Sequence, residues 1–328
     1  MRLFIFEFVS SGYLLNQPLP TSLTAEGELM LRCLLNDALE MQWHDKIEIC
    51  TLRDHRLPAL TYPIKVYTAH STNEARAHWQ TALLWADNVL VVAPETEDVL
   101  ATFSQSVLEA KKGLLGCSPN AIRLTTSKRQ TALLLAKHQL PTIPTYQPRQ
   151  AFPDNSTGWI IKPDTGAGCE HTFFCQERAN IRQYLPRVPN PIIQPYIQGD
   201  AASLTLLTDG ISCRLAAVNK QGIQWDDKQK LYLSHVTVNA LYPFASRFQP
   251  LLDCLCSAIT GLWGWIGIDV IITETGYAII EINPRLTTSY AGLGKSLQAN
   301  PLFLLLQLSQ TKDVLNTPLA HNPVLLGI

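Results

Sequence analysis

The chain has 328 residues, 46% of them hydrophobic and 16% charged, and a formal net charge of -1. That length and apolar content allow about two or three domains with buried cores. The near-neutral balance, without a run of Lys or Arg, excludes the basic footprint of a nucleic-acid-binding protein, and no apolar stretch reaches the ~18 to 20 residues that cross a bilayer.

The apolar start Leu3 to Val9 is interrupted by Glu7 and lacks a signal-peptide layout, so a soluble cytoplasmic protein with no membrane partner is expected. The eight cysteines, Cys33, Cys50, Cys117, Cys169, Cys175, Cys213, Cys254 and Cys256, show no CxxC pair and no Cys/His zinc spacing. They read as reduced, mostly core residues.

Leu3 to Val9 reads as a buried strand ending in the loop Ser10-Ser11-Gly12, a common ligand edge in α/β folds, although turn residues need no ligand. Thr24 to Met41 has helical spacing. Asn88 to Ala93 is a β-branched run of the kind buried in parallel sheets, and Pro94 with three acids is expected to open the next helix. Residues 1–117 therefore read as an α/β domain. A helix carrying Lys128 ends before Pro141, strands dominate from Trp159, and the remainder divides into units 118–195 and 196–328. Later elements are alternating strands, a Leu- and Cys-rich helix near Pro250 to Leu262, a hairpin, and an apolar helix at Leu302 to Leu308.

Gly267 to Arg285 (GIDVIITETGYAIIEINPR) is the most informative segment. A three-residue loop Glu274-Thr275-Gly276 favours glycine at its last, left-handed position. If Thr273 pairs with Tyr277, Asp269 falls opposite Glu281 and Asn283 lies on Glu281's face, so three oxygen ligands converge. Opposed carboxylates cost ~0.2 to 1 kcal/mol, more when buried, which calls for a cation between them. Mg²⁺, an oxygen-liganded ion shared with nucleotide phosphates, fits, and Mn²⁺ is an alternative. The plainer reading, a solvated hairpin face, is weakened by Asn283-Pro284-Arg285.

Trp159 to Pro163 is a strand carrying Lys162, followed by Asp164-Thr165-Gly166-Ala167-Gly168. Gly166 and Gly168 permit a backbone loop whose N–H groups close over phosphates, although no GK[ST] of a Walker loop is present and an ordinary hairpin turn would read the same way. The order is Lys128, then Lys162 before the glycines, then Gln194-Pro195-Tyr196-Ile197-Gln198-Gly199-Asp200, then Asp269, Glu281 and Asn283. This ordered set resembles the ATP-grasp superfamily. The resemblance implies an α/β fold, α+β in part, in which a Rossmann-like N-terminal domain precedes two α+β lobes that sandwich ATP, here 118–195 and 196–328. It implies that Lys128 and Lys162 bind phosphates, that the backbone of Tyr196 and Ile197 cradles adenine, that Asp200 holds ribose, and that Asp269, Glu281 and Asn283 hold Mg²⁺. Many members have glutamate where Pro195 stands, so adenine recognition here falls to backbone groups and Gln194.

Lysines and Mg²⁺ around a triphosphate suit phosphoryl transfer to a carboxylate, giving an acyl phosphate that an amine attacks. Arg285 is read, with Lys162, as catalytic, forked onto the γ-phosphate or the acceptor carboxylate, with a surface ion pair as its plainer role. Thr287 to Gly294, with Tyr290, would border the substrate pocket. FEFVSSG, APETEDVL, QPYIQGDAAS, VNKQGI and EINPRLTTSYAGLG together resemble the ATP-grasp ligases that join glutamate's γ-carboxylate to tyramine in methanofuran biosynthesis. That resemblance implies glutamate and an aromatic amine, tyramine or tyrosine, as partners. The alternatives are an ATP-grasp ligase for another amino acid or dipeptide and a non-catalytic nucleotide-binding protein. Lys220 faces away from Asn219 and Gln221 if their strand alternates, and either face could meet nucleotide or water. Among the histidines, only His171 lies beside the glycine loop.

Overall fold

The computed structural model describes residues 1–42, 47–166, 171–227 and 230–327. The first 114 residues supply β1 (Arg2–Glu7), α1 (Thr21–Gln42), β2 (Glu48–Asp54), β3 (Lys65–Ala69), α2 (Thr72–Trp85), β4 (Asn88–Val92), α3 (Val99–Glu109) and β5 (Gly113–Leu114). The strands form one parallel sheet in the order β3-β2-β1-β4-β5. The unbroken apolar run of β1 follows from burial on both faces. Phe4 and Phe6 pack with Trp79 of α2 and Phe103 of α3, while Leu3 and Ile5 meet Leu31, Leu34 and Leu35 of α1.

The acids after Pro94 open the next helix through a distorted 3-10 turn, Thr96–Asp98. Glu97 and Asp98 take left-handed φ values of 54° and 59°, and α3 begins at Val99. Asp98 is drawn to the guanidinium of Arg123, 3.0 Å away.

Two short helices follow, α4 (Pro119–Thr126) and α5 (Lys128–Lys137), and then a three-stranded sheet of β6 (Trp159–Pro163), β7 (Phe173–Cys175) and β8 (Pro191–Pro195), ordered β7-β6-β8. Its core gathers Trp159, Ile161, Phe173, Ile181 and Ile193. The last part contains β9 (Asp200–Thr208), β10 (Cys213–Trp225), β11 (Leu231–Val238), α6 (Gln249–Ala258), β12 (Gly264–Ile272), β13 (Tyr277–Asn283), α7 (Tyr290–Leu297), α8 (Pro301–Leu308) and β14 (Val324–Gly327). Its antiparallel sheet runs β13-β12-β9-β10-β11-β14.

The large sheet also buries both faces over most of its area. Leu204, Ile266 and Ile268 meet Leu251 and Leu255 of α6. Leu207 and Trp265 meet Leu293 of α7 and Leu305 of α8, in an apolar cluster that continues into α1 of the first sheet's layer. The seven described cysteines are free thiols, four of them buried. No helix is long and apolar enough to cross a membrane among the described residues.

Tyr290 does not border a pocket. It is 3% exposed, and its hydroxyl donates to Asp37 Oδ2 of α1 at 2.6 Å. Burial pushes the Asp37 carboxyl up to about 6, with Glu40 adding repulsion and the Tyr290 hydroxyl working the other way. A carboxyl whose native pKa lies above its unfolded value binds a proton more readily when folded. Stability therefore falls as pH rises from about 4 to about 6 and stays lower above that window. Asp37→Asn keeps an acceptor for Tyr290 without the charge, so urea unfolding at pH 8 should show a gain of about 1 to 2 kcal/mol that vanishes at pH 4.

Candidate active site

Asp269 of β12 stands opposite Glu281 of β13, and Asn283 lies on the same side opposite Gly267. The route to this pairing differs from the expected one. Thr273 N–H donates to Gly276 O across a two-residue turn, Ile272 rather than Thr273 opposes Tyr277, and Gly276 has no left-handed φ. The register then shifts at Ile280, an extra residue between Ile279 (opposite Val270) and Glu281 (opposite Asp269). A β-bulge lets consecutive side chains escape strict alternation, and Ile280 and Glu281 both line the same cavity.

Asp269 accepts Gln221 Nε2–H on Oδ1 at 2.9 Å and Asn283 Nδ2–H on Oδ2 at 3.2 Å. Burial and the neighbouring Glu281 charge push its carboxyl up. Burial acts on Glu281 in the same sense, but Lys128 and Lys162 outweigh it and hold that carboxyl low. One acid is thus firmly ionised and the other is short of positive charge.

Lys128 is the first residue of α5, where the helix dipole disfavours a cation. Burial disfavours its charge too, yet Glu281 Oε2 at 3.0 Å raises its pKa overall, and its Nζ also donates to Gly166 O at 2.9 Å. Asp164 fixes this helix end to the glycine loop by accepting from Ser127 Oγ and Arg129 N–H. Lys162 is 7% exposed at the end of β6. Gly168 lies outside the described residues.

A cavity of about 350 Å³ collects Lys128, Lys162, Gly166, Gln194, Tyr196, Ile197, Asp200, Asp269 and Glu281 on one wall or another, with Ile143, Ile160, Ile271 and Trp225 as apolar surface. Gln194 spends its amide N–H on Thr145 Oγ1. The Tyr196 N–H donates to Gly158 O, and its carbonyl accepts from Thr157 Oγ1. Asp200 is exposed at the rim, 3.7 Å from Lys220 Nζ, which puts Lys220 outside the cavity lining. Gln221 does line it, and Asn219 is buried, donating to Ser203 and Thr205.

A second cavity, of about 200 Å³, shares Gln221, Leu233, Asp269 and Glu281 with the first. Its other walls are the ends of β1 and β4, the start of α1, and the segment from Asn283 to Ser289. Arg285 reaches this cavity but is already paired: Nη2 donates to Glu95 Oε2 at 3.1 Å, Nε lies 2.8 Å from Oε1 as an ion pair without hydrogen-bond geometry, and Nη1 donates to Leu286 O. This is a buried ion pair between the segment after β4 and the segment after β13, 14% and 6% exposed, in place of the surface pair the sequence offers as the plainer role. Thr287, Ser289 and Thr205 hydroxyls are linked at 3.0 and 3.1 Å along one wall. Ser10 and Ser11 are turn residues, buried with Gly12 at φ 93°. His171 is exposed at φ 52° and does not line the first cavity.

Gln221, Glu95 and Asp164 are the residues that sequence reasoning left without a role. Only Gln221 carried a signal, its place in an alternating strand.

The oxygen donors fit Mg²⁺. Among the described residues no three His, Cys, Asp or Glu side chains gather as a cluster. Two carboxylates and the Oδ1 of Asn283 therefore make a sparse, hard-donor set that leaves room for phosphate oxygens or water. The excess negative charge felt by Asp269 is what a cation between the two strands would relieve.

The comparisons concern the family and the fold. The ATP-grasp domain family matches residues 125–289, about half of the chain, and a pre-ATP-grasp domain family matches 47–122. Tyramine–L-glutamate ligase of Methanocaldococcus jannaschii is 28% identical over 272 residues, covering 82% of this chain and 78% of that one. An ATP-grasp superfamily protein from Archaeoglobus fulgidus superposes with a TM-score of 0.72 at 22% identity, over 94% of this chain and 88% of that one. The biotin carboxylase domain of Hydrogenobacter thermophilus 2-oxoglutarate carboxylase, solved with MgADP, gives 0.70 at 10% identity, over 95% of this chain and 70% of that one. With a site built between two such sheets and a family match over half its length, the chain belongs to the ATP-grasp family.

Proposed function

We propose that the protein is an ATP-dependent carboxylate–amine ligase that activates the γ-carboxylate of glutamate as an acyl phosphate and transfers the acyl group to tyramine or a related aromatic amine, as in methanofuran-type cofactor synthesis. The observation that carries this reading is the pair of cavities meeting at Asp269 and Glu281, with Lys128 and Lys162 on the wall of the larger one only. The larger cavity takes the nucleotide. Lys128, Lys162 and the backbone at Gly166 meet its phosphates, Gln194, Tyr196 and Ile197 border adenine, and Asp200 meets ribose at the rim.

Asp269, Glu281 and Asn283 would hold Mg²⁺, whose charge offsets that of the phosphates. The carboxylate in the second cavity attacks the γ-phosphorus, ADP leaves, and the amine then attacks the acyl carbon and expels phosphate. Lys162 stabilises the transferring charge, Arg285, held by Glu95, orients the acceptor side of the second cavity, and catalysis rests on positioning and electrostatics, without a covalent nucleophile of the protein. The substrate pair is supported by the name of the methanogen relative.

The test is isotopic. With ¹⁸O in the glutamate γ-carboxylate, one label should appear in the released phosphate; label in AMP would replace the acyl phosphate with an adenylate. A panel of amines in the same assay fixes the acceptor.

A further inference from the structure

The two cavities balance their shared carboxylates differently. In the larger, Lys128 and Lys162 stand against Asp200, Asp269 and Glu281. The second has Glu7, Glu26, Asp269 and Glu281, and its one lining cation, Arg285, is already paired with Glu95. A molecule in the second cavity therefore meets a surface of net negative charge at the end away from the lysines.

Glu7 and Glu26 make that end. Glu7 is the last residue of β1 and 3% exposed, its two oxygens accepting the N–H groups of Val9 and Ser10 at 3.0 and 2.7 Å. Gly27 of α1 lies so close that a Cβ there would come within 2.7 Å of the Glu7 carboxyl carbon, so the absence of a side chain at 27 makes room for this acid. One residue earlier, Glu26 accepts from Thr288 Oγ1 at 2.9 Å, across the junction between the first layer and the loop after β13. Backbone and hydroxyl groups orient both acids, and the Arg285 guanidinium that feels the Glu26 charge is paired with Glu95. Burial pushes the Glu7 carboxyl up, against the Ser10 and Val9 hydrogen bonds, and a cation brought beside it would lower it again.

We infer that Glu26, backed by Glu7, recognises a primary ammonium group on a substrate held in the second cavity. This rests on the ligase reading above and adds to it the specificity-determining residues. The ammonium belongs either to the amino-acid substrate or to the amine before it loses its proton. In both cases a charge-assisted contact to Glu26 fixes which end of the molecule points toward Asp269 and Glu281.

Glu26→Gln is the principal test, because its side chain is oriented by Thr288 and supports no backbone. The KM for glutamate and for tyramine should be measured with it, beside the affinity for Mg·ATP. One of the two KM values should rise about tenfold or more, and the nucleotide affinity should stay within twofold. If the glutamate value rises and turnover of glutarate, which has no ammonium, is unaffected, the α-ammonium is the group held. If the tyramine value rises, the amine is. Calorimetric titration of glutamate and of tyramine into the Mg·ADP-loaded protein reads the same contact without turnover, so a protein that binds an amine but ligates nothing would sink the ligase reading and not this one. Unchanged KM values and unchanged binding of both compounds in Glu26→Gln and Glu7→Gln, with Mg·ATP affinity intact, would overturn the inference.

Discussion

Asp269→Asn is expected to lower Mg·ATP-dependent ADP release on the order of a thousandfold while leaving thermal stability unchanged or raised. The opposite signs come from one cause. Burial and the facing Glu281 make the Asp269 charge unfavourable in the folded protein alone, and that charge is what a divalent cation would use. Asparagine keeps an acceptor for one of the two amide donors, Gln221 or Asn283, its own N–H meets the other once that amide turns its oxygen inward, and the repulsion is removed. The stability gain should be present at pH 8 and fade as pH falls toward about 4, where the unfolded carboxyl also protonates. Glu281→Gln should lose activity to the same degree but lose stability as well, since Lys128 at 3.0 Å then faces a neutral amide. Turnover within tenfold of the unaltered protein in both variants would remove this pair from the metal site.

Glu95→Ala should cost about 3 to 5 kcal/mol in urea unfolding, because it leaves the Arg285 guanidinium buried with no anion in its fork. Removing both partners, as Glu95→Leu with Arg285→Met, should restore part of that loss, since a desolvated pair replaced by apolar groups gives up little net energy. Arg285→Lys separates structure from chemistry. It keeps the charge but loses the planar fork, so turnover should fall more than Mg·ATP affinity. A loss below about 1 kcal/mol for Glu95→Ala would mean that water already solvates the guanidinium.

The carboxylate pair was legible in the sequence only through two offsetting departures. Asp269 does stand opposite Glu281, but the hairpin begins one residue off the assumed Thr273–Tyr277 pair and the bulge at Ile280 restores the count. One cavity, by contrast, gathers the lysines, Gln194 and the QPYIQGD segment named from their order. Legibility failed where a contact spans great sequence distance. Glu95 and Arg285 are 190 positions apart, and nothing local to either names the other. Gln221 was ambiguous because a strand's faces acquire meaning only when its neighbours are known, and Ser203 and Asp269 lie in one row of β9 and β12. The helix expected after Pro94 is there, but its first turn is a distorted 3-10 turn at Thr96–Asp98, flanked by the Glu95–Arg285 and Asp98–Arg123 contacts that the sequence does not name.

The bulge at Ile280 makes β13 a strand with two phases. From the turn to Ile279 the chain keeps one frame against β12, and from Glu281 onward it keeps another, one residue advanced. If the intact sequence were forced into a single frame from the turn, Glu281 would oppose Ile268, a fully buried core residue, and a carboxylate would be driven into the apolar layer against α6. Deleting Ile280 would merge the two frames and still leave Glu281 beside Asp269, at the expense of one apolar wall of the larger cavity. The bulge thus works as a phase shifter: it sets a one-residue offset between the frame of the turn and the frame of the carboxylate pair.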